Sequence, residues 1–358
     1  MSQIAGQGRN NRPAGSQGPM NIAEVTKTKD TRKSSPVDRL LALVAADMQA
    51  TDLIIHDRLG STVSLIPDLA KHLVESGGKL LRPLLTLAAA RAGGYQGDKH
   101  ICLAAAVEFI HTATLLHDDV VDASTLRRGK IAANVVWGNK PSVLVGDFLF
   151  SRAFQLMVEG GDLSVLDILA GASAIIAEGE VMQLKSANNL ATTEDDYLQV
   201  VTAKTAALFA AAAQSGAMIA RTGAPVIEGF RVYGKKLGIA FQLVDDALDY
   251  SGRQAQMGKS VGDDFREAKV TLPVVLAYAR ADAEARRFWQ RTIADGAQND
   301  SDLKQAIALV EETGAIEETR ARAARYADEA CEALSVLPDS EIRRELIALA
   351  EFCVDRGY

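Results

Sequence analysis

Aromatic side chains are scarce, making up only 5% of the 358 residues. Strands draw on aromatic and β-branched residues, so a large sheet is a poor fit. Alanine and leucine dominate instead, and both favour packed helices. Cysteine is limited to Cys102, Cys331 and Cys353, an odd number without CxxC spacing. That excludes a disulfide scaffold and reads as reduced, structural thiols in a reducing compartment. Positive charge is not in excess: the net charge of −7 leaves no dominant basic face, which excludes a nucleic-acid partner. Long apolar runs are also missing. No stretch reaches the roughly 18 uninterrupted apolar residues of a spanning helix. Ala206 to Ala220 comes nearest and is broken by Gln214, Ser215 and Gly216. The N-terminus lacks the apolar segment of a signal peptide, so the expectation is a soluble cytoplasmic protein.

What is present is helical punctuation. Residues 1–34 are rich in Gly, Asn, Gln, Lys and Ser and bury too little to offset ordering entropy, which predicts a disordered tail. Residues 35–358 read as one all-α domain. Breaks fall at Gly77-Gly78, Gly93-Gly94, Gly138 to Pro141, Gly160-Gly161, Asn188-Asn189, Gly223 to Pro225 and Ser251 to Gly262. No convincing alternating strand lies between them. Residues 101–128 contain neither Gly nor Pro, which predicts one long helix. Residues 226–250 predict another, with Phe230, Tyr233, Leu237, Phe241, Val244 and Leu248 on one stripe. Gln242, Asp245, Asp246 and Asp249 fall on a separate face, roughly a third of a turn away.

Two acidic triads stand out, Asp118-Asp119-Val120-Val121-Asp122 and Asp245-Asp246-Ala247-Leu248-Asp249. In each, the first and last carboxylates are four apart and project side by side on a helix. Like charges at that spacing oppose the helix, so a hard divalent cation is the natural compensation. Magnesium prefers carboxylate oxygen and is often shared with substrate phosphates. A solvated acidic face explains one triad equally well. It explains two, both within apolar helices, poorly. Neither triad has the alternating ligands and central glycine of an EF-hand.

Cations gather elsewhere. Gly77-Gly78-Lys79-Leu80-Leu81-Arg82-Pro83 sets Lys79 and Arg82 three apart at a predicted helix start, where Pro83 suits the first turn. Arg127 and Arg128 follow the first triad, and arginine grips phosphate with a bidentate fork. His111 lies two turns before Asp118 on nearly the same face; alone it would read as a core histidine, and beside these cations it reads as a phosphate contact. Lys204-Thr205 sits mid-helix among alanines, where a buried lysine needs a partner such as a diphosphate. Gln242 lies one turn before the second triad. Gly258-Lys259-Ser260 is no P-loop: five residues separate Gly252 from Gly258, not four, and a helix precedes them.

Taken together, GGKLLRP, EFIHTATLLHDDVVD, STLRRGK, KTAALF, FQLVDDALDY and GKSVGDDFREAKVTLP resemble, in order, the trans-prenyltransferases, or polyprenyl diphosphate synthases. The resemblance covers roughly residues 37–358. It implies an isoprenoid-synthase fold, with antiparallel helices around a deep central cavity, as a homodimer. It implies that Asp118, Asp122 and Asp245 bind two or three magnesium ions, helped by Asp119, Asp246 and Asp249. Lys79, Arg82, His111 and Arg128 would hold isopentenyl diphosphate. Arg127, Lys204 and Lys259 would hold the allylic partner, farnesyl or geranyl diphosphate, with Thr205 and Gln242 beside the developing cation. One departure is Ala268, where the family has glycine before Lys269.

In related short-chain enzymes, bulky residues four or five positions before the first aspartate form a floor. Thr114 and Ala113 occupy those positions and are small. Each added unit buries surface worth roughly 3–4 kcal/mol, and the expected product has about eight to ten units, as in quinone side chains, with membrane contact aiding its release. The alternatives are a shorter-chain farnesyl or geranylgeranyl diphosphate synthase, or a subunit of a heteromeric synthase. A terpene cyclase would lack Lys79, Arg82 and the second DDxxD.

Overall fold

Why helices begin and end where they do is clearest at the polar caps. In the computed structural model, which describes residues 34–74, 80–251 and 261–355, Ser35 and Asp38 form a reciprocal capping box at the start of α1 (Pro36–Leu43). Thr193 and Asp196 do the same for α9 (Glu194–Val201). Between them run α2 (Ala45–Arg58), α3 (Leu65–Val74), α4 (Leu81–Ala92), α5 (Lys99–Val121), α6 (Ala133–Trp137), α7 (Asn139–Gly160) and α8 (Leu163–Ser186). After α9 come α10 (Ala207–Ile219), α11 (Ala224–Asp249), α12 (Asp263–Arg266), α13 (Leu272–Arg280), α14 (Ala283–Trp289), α15 (Asp302–Glu312), α16 (Ala315–Ala333) and α17 (Glu341–Asp355). The chain from Ser35 onward is one compact unit. The tail expected at the N-terminus lies outside the described residues except for Ser34.

The long helix expected over 101–128 is shorter. Asp122 is its C-cap and Ala123 turns left-handed at φ 50°. The Ser124 N–H then bonds to Asp119 O (3.0 Å) and the Ala123 N–H to Val120 O (3.4 Å), the paired bonds of a Schellman stop. An Asn134 side-chain amide also donates to the Asp119 and Ser124 carbonyls. No glycine or proline marks this stop, so the sequence pattern runs straight through it. A two-residue hairpin follows, Leu126–Arg127 paired with Lys130–Ile131. Arg128 and Gly129, both at positive φ, form its turn. This is a correction to an expectation without strands.

Small residues let the central helices approach. A methyl on Gly234 would sit 2.3 Å from Phe209 O, and one on Gly238 would sit 2.7 Å from Ala206 Cα. These contacts bring α11 antiparallel against α10. Gly234 and Gly238 are one turn apart, and the same face continues to Gln242 and Asp246. The packing ridge of α11 therefore leads directly into its polar end. Helix α5 reaches the length and hydropathy of a membrane span, yet 61% of its apolar window is buried among neighbouring helices. It is a core helix here, packed on α4 and α7.

The candidate active site

Helices α4, α5, α8, α10 and α11 enclose a cavity of about 730 Å³. Its lining carries both signs of charge. Asp118, Asp122, Asp245 and Asp249 contribute carboxylates, and Arg82, Arg128 and His111, with the acid Glu108 near Arg82 and Arg128, contribute a cationic cluster.

The two triads share a logic that spacing alone could not reveal. Asp118 and Asp122 face the cavity. Asp119 is fully buried, with Oδ1 accepting from Arg127 Nε at 2.8 Å. In the second triad Asp245 is exposed to the cavity. Asp246 is buried and accepts from Tyr197 and Gln242. Asp249 accepts the Gly262, Asp263 and Asp264 N–H groups, capping the start of α12. Asp119, Asp246 and Asp249 are thus engaged by the protein itself. Asp118 and Asp122 are likewise engaged, by Lys204 and Lys269. Among the described residues no three His, Cys, Asp or Glu side chains converge on one point.

Burial pushes the Asp118 carboxyl up to about 7, against the attraction of Lys204 and with the repulsion of Glu180 and Asp122. Burial likewise raises Asp246 to about 7, opposed by its hydrogen bonds from Tyr197 and Gln242. A neutralising cation is what such acids call for.

Lys204 lies in a wide turn, Thr202–Ala206, where Ala207 donates to Thr202 O five residues back. Such insertions are frequent at functional sites. Both Lys204 and Thr205 line the cavity. The partner of this lysine is a carboxylate of α8: Lys204 Nζ is 2.8 Å from Glu180 and 3.6 Å from Asp118. Gly179 lets α8 approach, since a methyl there would be 2.8 Å from Lys204 N. Lys269 Nζ reaches Asp122 at 2.9 Å.

The cationic cluster is compact. Arg82 stacks over Phe209 at 4.4 Å, and its Nε is buried without a hydrogen-bond partner. Burial lowers Arg82 to about 10, with Glu108 acting against that. Burial, with repulsion from Arg82, Arg128 and Arg127, holds His111 well below its ordinary value, so its ring is neutral at pH 7. Helix α4 begins at Leu81, as the Gly-Gly-Lys-x-x-Arg-Pro pattern anticipates, although Pro83 stands at the third helical position.

Thr114 lines the cavity, whereas Ala113 is wholly buried in the adjoining core. Lys79 and Lys259 lie outside the described residues. Sequence reasoning missed Glu108, Glu180, Tyr197 and Lys269. Only Glu108 and Glu180 carried a signal, each an acid within an apolar helix that needs a partner where it is buried.

The polyprenyl synthetase family matches residues 63–310. Octaprenyl diphosphate synthase of Escherichia coli is 45% identical over 320 residues, 89% of this chain and 99% of that protein. An all-trans-nonaprenyl-diphosphate synthase of Rhodobacter capsulatus is 43% identical, covering 88% of this chain and 97% of the relative. Among solved structures, a Caulobacter crescentus polyprenyl synthase complexed with calcium and isoprenyl diphosphate superposes with a TM-score of 0.88. It is 52% identical and covers 91% of this chain and 100% of that one. A decaprenyl diphosphate synthase from Rhodobacter capsulatus gives 0.87 at 54% identity, over 90% and 100%. With carboxylates and a cationic cluster lining one cavity, this chain belongs to the polyprenyl synthetase family and is a trans-prenyltransferase.

Proposed function

We propose that the chain joins isopentenyl diphosphate to an allylic diphosphate, farnesyl or geranyl diphosphate, and repeats the step to a long all-trans polyprenyl diphosphate. One observation carries this reading: Asp118, Asp122 and Asp245 line the same cavity as Arg82, Arg128 and His111. Two anionic substrates thereby find separate receptors within one chamber.

The donor set fits magnesium. It is all carboxylate oxygen, and no three side chains converge among the described residues, so an ion here completes its shell with water and phosphate, as magnesium does. Asp118, Asp122 and Asp245 would hold two or three ions. Bound magnesium neutralises the allylic diphosphate and makes it a better leaving group.

The chain's own residues do the rest. Arg82 and Arg128 grip isopentenyl diphosphate with their forks, neutral His111 adds a hydrogen bond, and Lys79 joins them. Arg127, Lys204 and Lys259 hold the allylic diphosphate; Lys204 exchanges a carboxylate for phosphate. The allylic C–O bond breaks, its electron pair leaving on diphosphate. The double bond of isopentenyl diphosphate supplies the pair for the new C–C bond. The proton then lost passes to the departing diphosphate. Thr205 and Gln242 present oxygen dipoles to the transient allylic cation.

Small Thr114 at the cavity wall, with small Ala113 beside it, favours a product of about C40–C50 over a farnesyl or geranylgeranyl one; each five-carbon unit buries surface worth roughly 3–4 kcal/mol, which slows release. A quinone side chain is the destination, and release of so apolar a product draws on contact with a membrane. The protein works in the cytoplasm, and residues 35–358 carry the catalytic function. The outer faces of α7 and α8 expose Leu144 (66%), Val158 (66%) and Val181 (58%), an apolar surface suited to a homodimer.

The test is purified protein alone with magnesium, farnesyl diphosphate and labelled isopentenyl diphosphate, with products sized by mass spectrometry. Incorporation into C40–C50 species supports the reading. No incorporation by the homomer would favour a subunit of a heteromeric synthase.

A further inference from the structure

A hydrogen-bond chain crosses three elements behind the site. The Tyr197 hydroxyl, from α9, donates to Asp246 Oδ2 at 2.5 Å. Gln242 Nε2 donates to Asp246 Oδ1 at 2.7 Å. Gln242 Oε1 in turn accepts from Thr205 Oγ1 at 3.0 Å. Tyr197 and Asp246 are buried, at 5% and 3% exposure, and Asp246 meets the cavity lining beside Thr205 and Gln242.

The polarity of this chain runs one way. Both Asp246 oxygens accept, Oδ2 from Tyr197 and Oδ1 from Gln242, so the Gln242 amide turns its NH₂ group inward. The amide oxygen then faces Thr205 and takes the hydroxyl proton. What Thr205 has left for the cavity is lone-pair density. A flipped amide would offer NH₂ to Thr205 and release its proton toward the cavity, the wrong sign for a carbon acquiring positive charge. Gly238 holds α11 against Ala206, so the frame carrying Gln242 cannot drift from Thr205.

We infer that Tyr197 and Asp246 are positioning residues for the prenyl transfer: through Gln242 they fix the direction in which Thr205 presents its oxygen to the allylic carbon. This rests on the proposed function. It separates Asp246 from Asp245, its neighbour in the triad: Asp245 is exposed, whereas Asp246 is buried and orients an amide.

The experiment compares Tyr197→Phe, Thr205→Val and the double variant in the isopentenyl incorporation assay. Tyr197→Phe keeps the buried ring and removes one hydroxyl. It should lower kcat roughly 10- to 100-fold, the range seen when outer-shell partners are removed. KM for both substrates, and the magnesium concentration giving half-maximal rate, should stay within about twofold, because neither diphosphate nor metal contacts change. In the Thr205→Val background the same change should cost less than about twofold, since residues acting as one unit are not additive. An equal loss in both backgrounds would overturn the inference, as would a raised magnesium requirement, which would make Asp246 a metal ligand. If Tyr197→Phe does not fold, Asp246→Asn in both backgrounds asks the same question with the same outcomes. Inactive wild-type protein would defeat the proposed function and this inference together; active wild type with an unaffected Tyr197→Phe would defeat the inference alone.

Discussion

Lys269 Nζ lies 2.9 Å from Asp122 Oδ2 and 2.6 Å from Glu267, so the turn after α12 is tied to the end of α5. Burial disfavours this ammonium, but Asp122 and Glu267 more than compensate and hold it above its ordinary value. Asp249 of the second triad caps the other end of the same short helix, so α12 stands between the two triads before any ligand enters. A divalent ion at Asp122 must share that carboxylate with Lys269.

Stripping divalent ions with a chelator should abolish isopentenyl incorporation, and added magnesium should restore it. Asp118→Asn should lower kcat by at least about a hundredfold, the scale of losing a main electrostatic contact in a transition state. Full turnover in a chelator would remove the basis for the carboxylate reading.

Arg82→Lys loses both the fork and the stack on Phe209. A charge-assisted hydrogen bond contributes about 1.5–3 kcal/mol, so KM for isopentenyl diphosphate should rise roughly 10- to 100-fold. KM for the allylic substrate should hold steady. Steady-state kinetics with each substrate varied in turn decides it, and a selective rise for the allylic substrate would reassign the pocket.

Thr114→Phe places a ring in the cavity and should shorten the product on a chromatogram. Ala113→Phe differs, because Ala113 is wholly buried in the core beside the cavity. Overpacking there costs about 1–3 kcal/mol, so a lower Tm should accompany any shortening. Full-length chains from both variants would place the floor elsewhere.

Acid should weaken the fold through α2 and α5. His100 is fully buried, with Nε2 3.1 Å from Asp47 Oδ2, and Arg91 donates to both Asp47 oxygens. Burial depresses His100 below its ordinary 6.5. The unfolded chain therefore takes up this proton first, and stability falls as pH drops below 6.5. For Asp47, burial raises the carboxyl, but hydrogen bonds from Arg91 and His100 outweigh it and hold it below 3.8. Its contribution is present above 3.8 and is lost as pH falls below that value. Urea unfolding across pH 3–8 should show both limbs, and His100→Asn should flatten the one just below 6.5.

Ala268 takes the left-handed conformation, at φ 52°, one residue beyond the C-cap of α12. Its N–H bonds to Phe265 O and that of Lys269 to Asp264 O, the paired bonds that also end α5. Glycine would relieve strain of about 1–2 kcal/mol. It would also forfeit a buried methyl, about 0.8 kcal/mol, and cost about 0.5–1 kcal/mol in chain entropy. These offset one another. Ala268→Gly should leave Tm within about 3 °C and activity unaltered; a large shift either way would mean the loop is held differently.

Much of the site was legible early because helical spacing is local. A spacing of four positions puts Asp118 and Asp122 on one face wherever that helix packs, and Gln242 precedes Asp246 by one turn for the same reason. Helix ends at Gly93-Gly94 and Gly160-Gly161 were likewise visible, with Gly94 and Gly161 in the left-handed conformation that glycine adopts most readily. The stop at Ala123 was not, because alanine there is held by bonds to Asp119 and Val120 and by an amide from Asn134.

The sequence by itself determined that this chain is helical, that two acidic triads and a set of cations exist, and in what order they come. Only the tertiary structure decided which partner each acid meets. Asp119, Asp246 and Asp249 are chemically the same as Asp118, Asp122 and Asp245, and they sit in the same triads. What separates them is the partner each meets: Arg127 beyond a hairpin, Tyr197 on α9, the first amides of α12. Those partners come from elements whose approach depends on packing across the whole core, at Gly179, Gly234 and Gly238, and no local spacing carries that information.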